Sequence, residues 1–481
     1  KMLLNMKIII NLAKYCSGDD RMILEKEQIQ RYLRHIIMPE ISGPGQKKLL
    51  ESSILVYCDS ISGSAVLLYY MAAMGIGKIS CHSGNTDGFE FIFQKARGLN
   101  PDLEIHMADF AEDYDAMVVF CEKTIPTLKL GDTDIPVIFP AACGSCGYIR
   151  TARGKENINQ VVDEVNSFFI ENKDYEHLPL FKKACLGFAG TLAAIEAVKV
   201  LLGIGSISEQ AFQFDLGTYD FVRGRINNKK AEYSTDPENA KQLGKAKVLI
   251  VGTGGLGSPV AYMLTVSGIG KLGLVDFDTV ETSNLNRQIL HSTETLGMAK
   301  VKSAEAFLKK LNPDMKIRIY EQKFSSENAE ELIADYDIII SALDNLPNRY
   351  LLNDACYFLK KPLIEAGVLR FDGLATTIIP DKSPCYRCIF PETNDSNPVP
   401  ACSETGVLGA VPGVMGMIQA IEALKHLTGA GGTLANKILL FDALNMDFTL
   451  VDIEKSSNCA LCGTNPTITT LQNYEFVCRD K

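Results

Sequence analysis

The feature that most constrains the fold of this 481-residue chain is a long internal repeat. Segments of the first half recur in the second half in the same order, at an offset that grows along the chain. The clearest matches are residues 74–79 with 267–272, 190–199 with 416–425, and 214–215 with 441–442. The repeat is too long for a solenoid unit and predicts two copies of one domain.

Each copy alternates short Val/Ile-rich runs with segments of helical periodicity. This alternation is typical of an α/β fold in which helices cover a mainly parallel sheet. A chain of this length, with 46% apolar residues, is also too long for one core. The polar stretch 227–242 has no apolar periodicity and marks the boundary, so we predict domains at 1–230 and 231–481.

Composition argues against several functional classes. A net charge of -10 is unfavourable for binding duplex nucleic acid, which requires clustered Lys and Arg. The 14 cysteines are spread too thinly for a disulfide scaffold and are expected to be reduced thiols. The apolar run 3–13 is broken by polar residues, and no stretch is expected to reach the roughly 20 residues of a membrane helix. We therefore predict a cytoplasmic protein that binds neither nucleic acid nor membranes.

A glycine motif in the second half predicts a nucleotide site. The apolar strand at 248–251 is followed by Gly252-Thr-Gly-Gly-Leu-Gly257 and then by a helical run. Glycines allow the backbone to approach phosphates, and the helix N-terminus offers free N–H groups. The next strand ends at Asp276, whose carboxylate can bind ribose hydroxyls. These features alone fit NAD as well as ATP.

Charged residues beyond Asp276 favour ATP. Arg287 and Lys300 supply cations that hydride transfer does not need, whereas cleavage of a triphosphate at its α-phosphorus does. Asp344-Asn345 follows the strand at 337–341, at the sheet edge where Mg²⁺ binds, so Asp344 is the expected metal ligand. The alternatives are a solvated charge pair for Arg287 and Lys300, and a helix N-cap for Asp344.

The cysteine spacing predicts a structural metal site. Two C-x-x-C pairs, Cys385/Cys388 and Cys459/Cys462, form a tetrahedral zinc signature with no open position for catalysis. Cys143-Gly-Ser-Cys146 has no second pair and is interpreted as a loop with free thiols.

Together these motifs resemble the ThiF/MoeB/HesA family, which is related to ubiquitin-activating enzymes, over most of residues 245–463. The resemblance implies Rossmann-like domains that use ATP and Mg²⁺ to adenylate the terminal glycine of a ubiquitin-like carrier protein. It implies an ATP site that contains Gly252, Gly254, Gly255, Gly257, Asp276, Asp278, Asn284, Arg287, Gln288, Lys300, Asp344 and Asn345.

Family members are homodimers in which an arginine near the start of one subunit reaches the ATP site of the other. The sequence 31–36 (RYLRHI) is similar to this element and identifies Arg34 as the reaching cation. The corresponding place before the second copy, 232–238, has no arginine. The alternative is that Arg34 is an ordinary surface residue.

The first copy lacks the features of a nucleotide site. Cys58 and Ser60 stand in place of Gly252 and Gly254, and Ser83 replaces the ribose acid. The stretch that carries the phosphate contacts is missing, and Glu122-Lys123 replaces the metal-binding pair. These complementary losses predict a monomeric pseudo-dimer in which an inactive first domain donates Arg34 to the single active site of the second.

Cys402 lies in a Pro/Asn/Ser-rich loop. Relatives in the family have a cysteine here that attacks the adenylate or takes part in an acyl-persulfide, which implies the same role for Cys402. The alternative is a spare loop thiol. No rhodanese-like stretch follows Cys462, so any sulfur donor is expected to be a separate protein.

The leading hypothesis is therefore activation of a ubiquitin-like sulfur carrier. A close rival is adenylation of a ribosomal precursor peptide in natural-product maturation, which the fused, altered N-terminal copy favours. A non-catalytic scaffold would not need Arg287, Lys300 and Asp344. An NAD oxidoreductase would need a substrate-polarising acid or base, which nothing in the sequence identifies.

Overall fold

The computed structural model describes residues 23–58, 61–108, 113–125, 134–175, 179–226, 241–391 and 405–474. Two eight-stranded sheets lie on either side of the predicted boundary. The strands of the first sheet are β1 Ser53–Cys58, β2 Lys78–His82, β3 Glu104–Met107, β4 Ala116–Phe120, β5 Val137–Cys143, β6 Cys146–Ala152, β7 Phe212–Asp215 and β8 Asp220–Arg223. Those of the second are β9 Lys247–Val251, β10 Lys271–Val275, β11 Lys316–Tyr320, β12 Ile338–Ser341, β13 Leu363–Leu369, β14 Asp372–Ile378, β15 Lys437–Asp442 and β16 Asp447–Asp452.

The two sheets have the same topology. The strand orders are β3-β2-β1-β4-β5-β6-β7-β8 and β11-β10-β9-β12-β13-β14-β15-β16. Five strands in each sheet are parallel, and the last three are added as antiparallel hairpins. Central strands such as β9 are apolar and buried on both faces, as parallel strands between helical layers must be. The predicted α/β fold with two mainly parallel sheets is confirmed.

Helices cover both faces of the sheets. The described helices are α1 Lys26–Arg31, α2 Leu33–Ile36, α3 Ser42–Glu51, α4 Ile61–Met74, α5 Phe89–Leu99, α6 Lys155–Glu171, α7 Pro179–Leu202, α8 Gly257–Ser267, α9 Lys300–Leu311, α10 Ala329–Ala334, α11 Leu346–Phe358, α12 Tyr386–Ile389 and α13 Val411–Thr428.

The two halves pack around a pseudo-two-fold axis, because residues equivalent in the repeat contact each other. Phe221 of β8 stacks on its counterpart Phe448 of β16, with ring centroids 4.3 Å apart. Ser206 N–H donates to Leu444 O at 2.8 Å, and Gly432 N–H donates to Gly217 O at 3.1 Å in the equivalent contact. Such reciprocal contacts define an isologous interface, here within one chain. The chain is an intramolecular pseudo-dimer.

Helix α7 corrects one expectation from the sequence. Residues Phe181–Leu202 form a 22-residue segment of mean hydropathy 1.8, which is long and apolar enough to cross a membrane. The expectation that no stretch reaches this length was wrong. The segment is 94% buried inside the fold, where it packs against α4 and α13. Its apolar character on all sides is that of a core helix.

Most of the predicted boundary segment, 227–240, lies outside the described residues. The division at residues 230 and 231, with an inactive first domain, remains a prediction.

Candidate active site

The glycine loop after β9 has the backbone geometry that its sequence predicts. Gly252 has a φ of +102°, and a Cβ there would lie 2.5 Å from Ala342 O. A Cβ on Gly257, the first residue of α8, would lie 2.0 Å from Gly252 O. Both positions therefore require glycine. Gly254 is more open, since its nearest neighbour would be Gln288 Nε2 at 3.4 Å. The loop therefore presents glycine backbone at the N-terminus of a helix, an arrangement that binds phosphate groups in other proteins.

Asp276 follows β10 and orients the glycine loop. Its Oδ2 accepts hydrogen bonds from the Thr253 N–H at 2.8 Å and from the Thr253 hydroxyl at 3.0 Å. Its Oδ1 accepts from the Asp278 N–H at 2.9 Å. The carboxylate lies where the sequence predicts a ribose ligand, and it also holds the loop in shape.

Lys300 begins helix α9 and is already paired. Its Nζ lies 3.0 Å from Asp278 Oδ2, and its side chain is only 9% exposed. Asp278 is 51% exposed and faces solvent. Lys300 is therefore a largely buried cation in an ion pair with Asp278, and the alternative of a solvated pair with Arg287 does not describe it.

Arg287 lies beside the glycine loop. Its Cδ would contact a Cβ on Gly255 at 3.5 Å, while Nη1 donates to Ser283 O and to Asn286 Oδ1, both at 2.8 Å. Gln288 is 3% exposed, and its Oε1 has no hydrogen-bond partner among the described residues. A buried polar atom of this kind is costly unless a ligand or water satisfies it.

Asn284 has a structural role in the same turn. Its Oδ1 accepts the Glu281 N–H at 3.0 Å, and the side chain is 7% exposed. The predicted phosphate contact from Asn284 remains a prediction.

Asp344 and Asn345 divide two roles between them. Asn345 is the N-cap of α11, because its Oδ1 accepts the Asn348 N–H at 3.1 Å. Asp344 is exposed, with Asn345 Nδ2 at 3.4 Å from its Oδ1. The N-cap alternative applies to Asn345, and the Asp344 carboxylate lies at the carboxyl end of β12, where a cation can reach it.

The segment that carries Arg34 lies against the second half. Arg34 O accepts the Val407 N–H at 3.2 Å, and His35 Nε2 accepts the Gly409 N–H at 2.9 Å. Glu40 completes the contact through an ion pair with Arg370 at 2.5 Å. Sequence reasoning selected Arg34 and missed His35, because nothing local shows which half a buried ring will contact.

A second first-half contact supports the glycine loop, and the sequence analysis missed it. Lys95 of α5 donates to His291 O at 2.7 Å. The His291 ring contacts Thr253 O through Nε2 at 3.1 Å and Ser303 Oγ through Nδ1 at 3.0 Å. Burial, followed by the charge of Lys95, lowers the pKa of His291 to about 3, so the ring is neutral at pH 7.

The equivalent place in the first half is occupied by a side chain. Glu122 Oε1 accepts the Gly63 N–H at 3.2 Å in the first turn of α4, and a Cβ on Gly63 would lie 2.5 Å from the same oxygen. A carboxylate thus lies at the start of α4, the place that corresponds in the repeat to the start of α8. Cys58 is buried, Ser83 accepts the Asn85 N–H at 3.3 Å, and Ser60 lies outside the described residues.

The four cysteines of the C-x-x-C pairs converge. Their sulfur atoms all lie within 4.8 Å of one another, with Cys385–Cys459 at 3.5 Å and Cys388–Cys462 at 3.3 Å. Four thiols in this arrangement fit one tetrahedral zinc ion. Arg387, between the first pair, donates to the buried Asp354 at 2.9 Å, and the Tyr474 hydroxyl donates to the same carboxylate at 2.5 Å.

The other cysteine predictions have different outcomes. Cys143 and Cys146 are buried and lie opposite each other at the end of the β5–β6 hairpin, where Cys143 Sγ donates to Asn172 O at 3.3 Å. The predicted loop is therefore a tight hairpin turn. Cys402 lies outside the described residues, and its thiol-transfer step remains a prediction.

Comparisons with known proteins match about half of the chain, and the family match lies in the second half. The model of the ThiF family matches residues 233–461. A sulfur carrier protein adenylyltransferase from Thermus thermophilus is 42% identical over 50% of this chain and 91% of its own length. The adenylyltransferase and sulfurtransferase MOCS3 of Bos taurus is 45% identical over 49% of this chain, which spans about half (52%) of that relative. Among solved structures, E. coli MccB with MccA-N7isoASN matches at a TM-score of 0.43 and 23% identity, over 47% of this chain and 69% of that one.

Proposed function

Because this chain belongs to the ThiF family, we propose that it adenylates the C-terminal carboxylate of a ubiquitin-like sulfur-carrier protein at one ATP site in its second half. The observation that carries the proposal is the glycine loop at the start of α8, beside which lie both Arg287 and the buried Gln288 with its unpartnered Oε1. The relative from Thermus thermophilus, a sulfur carrier protein adenylyltransferase, favours a sulfur-carrier substrate.

The proposed reaction needs little covalent help from the protein. A carboxylate oxygen of the substrate attacks the α-phosphorus of ATP, an O–P bond forms, and the bond to the departing pyrophosphate breaks. No general base is required, since a C-terminal carboxylate is ionised at neutral pH. The protein must hold the two groups in line and stabilise the charge that develops on the phosphates.

Each charged residue of the site has a place in this reaction. Arg287 and Lys300 face the growing negative charge from the second half, and Arg34 adds a cation from the first half. Mg²⁺, bound by the exposed carboxylate of Asp344, would neutralise charge on the leaving pyrophosphate. Lys300 now pairs with Asp278. When ATP binds, the ammonium group of Lys300 would contact a phosphate, either in place of Asp278 or together with it.

Substrate-dependent ATP–pyrophosphate exchange tests the proposal. We expect exchange with a carrier protein that ends in Gly-Gly, and a loss of about 10²–10³-fold in both Asp344→Ala and Arg34→Ala, since each removes a group that stabilises the transition state. Asp452→Ala is a matched control, because Asp452 lies at the end of β16 and forms an exposed ion pair with Lys437.

Each other outcome has a distinct meaning. Full exchange in Arg34→Ala would show that Arg34 contributes no cation to the reaction, and it would leave the rest of the proposal intact. Exchange with a precursor peptide but with no carrier protein would select the rival substrate. No exchange with either substrate would reject adenylation.

A further inference from the structure

His35 belongs to the first half, but its ring contacts the second-half site. It lies in helix α2 and is fully buried. Its Nε2 accepts the N–H of Gly409 at 2.9 Å. Gly409 lies two residues before α13. Pro412, in the first turn of that helix, lies beside the glycine loop, since a Cβ built on Gly255 would be 3.3 Å from Pro412 Cβ. One imidazole nitrogen therefore joins the first half to the segment beside the proposed ATP site.

The proton on the ring is fixed from the first half. Gln46 Nε2 donates to Met74 O at 3.0 Å, so the amide oxygen of Gln46 faces His35. His35 Nδ1 lies 2.9 Å from that oxygen and must donate its proton to it. Nε2 is then an acceptor, which is the state that the Gly409 N–H requires.

From Gly409 the contacts continue to Arg287. A Cβ on Gly409 would lie 2.0 Å from Asn286 O, so the two backbones are in close contact. Asn286 Oδ1 accepts a hydrogen bond from Arg287 at 2.8 Å. Arg287 is also near enough for its charge to act on the His35 ring. The residue before His35 is Arg34, whose carbonyl oxygen accepts a hydrogen bond from the Val407 N–H.

We propose that His35 is a positioning residue for adenylation, because its acceptor nitrogen fixes the Arg34 segment and the Asn286-Arg287 turn in one arrangement around Gly409. The proposal rests on the proposed function. It assigns to the first half a second task besides the donation of Arg34, namely to align the cation that the second half supplies itself. A histidine that only fills the core would affect stability without changing the chemical step.

Two substitutions at His35 separate these roles. His35→Leu fills a similar volume without an acceptor, whereas His35→Gln can place its Oε1 near the position of Nε2 and accept the Gly409 N–H. In the exchange assay we expect kcat to fall on the order of 10- to 100-fold in His35→Leu with the KM for the carrier unchanged, and to recover largely in His35→Gln. Equal kcat in the wild type and His35→Leu would overturn the proposal.

Gln46 provides an independent test from a distance. Gln46→Leu removes the acceptor for Nδ1–H, so the ring can move its proton to Nε2, where it opposes the Gly409 N–H. We expect kcat to fall in the same direction, although the described contacts of Gln46 lie within the first half. The double variant with His35→Leu should lose no more than His35→Leu alone. Additive losses would contradict the proposed relay.

Amide hydrogen exchange gives a readout that does not depend on catalysis. In His35→Leu we expect faster exchange in a peptide that contains Gly409, and in His106→Leu no change. His106 is a first-half histidine on β3 whose ring contacts Ser80 and Glu104 of its own half. An unchanged rate of amide hydrogen exchange at Gly409 in His35→Leu would overturn the proposal even in an active enzyme.

If the wild type shows no ATP–pyrophosphate exchange at all, the proposed function fails, and with it the positioning role that rests on it. Faster hydrogen exchange alone would then make His35 a structural contact.

Discussion

At the scale of single residues, two buried histidines govern how the junction between the halves responds to acid. Burial lowers the pKa of His35 to about 4, with a further contribution from Arg287 opposed by the hydrogen bond to Gln46. Burial, followed by the charges of Lys95 and Lys300, lowers the pKa of His291 to about 3. Both rings have a pKa near 6.5 when the chain unfolds. Between pH 6.5 and the lower pKa values of the folded state, the unfolded state therefore binds more protons than the folded state.

We predict that the free energy of unfolding falls as the pH drops from about 6.5 towards 4. Above pH 6.5 both states have neutral rings and the stability is fully present, and below pH 4 the His35 contribution is lost. His35 alone should remove about 2 kcal/mol by pH 5. Urea unfolding at pH 7 and pH 5 measures this difference. This difference in the free energy of unfolding should shrink in His35→Gln, and an equal pH dependence in the wild type and in His35→Gln would contradict the assignment.

Residue chemistry was predictable from the sequence only where a local motif carried it. Gly252 and Gly257 follow from the glycine pattern, and the structure explains both by close backbone contacts. Asp276 was predicted as a ribose ligand, but three hydrogen bonds within the loop were not foreseen. His35 and Lys95 could not be assigned, since their partners lie far along the chain. Long-range pairing is not encoded in any local pattern.

At the scale of secondary-structure elements, the repeat predicted more than the composition did. Two copies of one α/β unit imply two sheets of equal topology, and the shared strand order confirms this. Helix α7 shows the limit of composition, because an apolar 22-residue segment fits a membrane or a core equally well. The tertiary environment decides, and here neighbouring helices and the first sheet bury the segment. The function of the Pro/Asn/Ser-rich segment with Cys402 has no structural test in the described chain.

The C-terminal tail is an element whose order should depend on metal. Between Asp452 at the end of β16 and Tyr474 it has no strand among the described residues. It contacts the domain at the cysteine cluster, through hydrogen bonds of Asn473 with Ser326 and Glu327, and through the Tyr474–Asp354 hydrogen bond. We predict one zinc ion per chain, lost in Cys388→Ser, with a fall in the melting temperature of roughly 5 °C because the tail loses its main attachment.

Metal analysis of the purified protein measures the zinc content, and calorimetry measures the melting temperature. Cys143→Ser is the control, since that thiol is buried and lies outside the cluster. It should keep its zinc. A wild-type protein without zinc, or Cys388→Ser with a full equivalent, would show that the four cysteines serve another purpose.

At the scale of the whole molecule, the two halves share one interior. A single apolar cluster runs from Ile54 in the first sheet to Phe441 in the second. Tyr219 of the first half enters a buried pocket of the second, where its hydroxyl donates to Glu422 at 2.6 Å and Lys425 Nζ lies 3.3 Å from its ring centroid. Met446 is its counterpart in the repeat, and both residues have positive φ. The halves have kept the backbone of a symmetric interface while their side chains diverged.

Sharing one interior has a thermodynamic consequence that can be measured. Gly413, in the first turn of α13, packs against the first half, and a Cβ there would meet Tyr70 Cζ at 2.5 Å and Thr191 Cγ2 at 2.7 Å. We predict that Gly413→Val destabilises the protein by about 1–3 kcal/mol through overpacking.

We also predict that unfolding of this variant remains a single calorimetric transition, because neither half can lose the interface without exposing the core of the other. Gly84→Ala is the control, since Gly84 is exposed and has nothing within 4 Å of a built Cβ. It should change the free energy of unfolding by less than about 0.5 kcal/mol. Two separate transitions, with only the second shifted by Gly413→Val, would show that the halves are independent domains and that the first half can position nothing in the second.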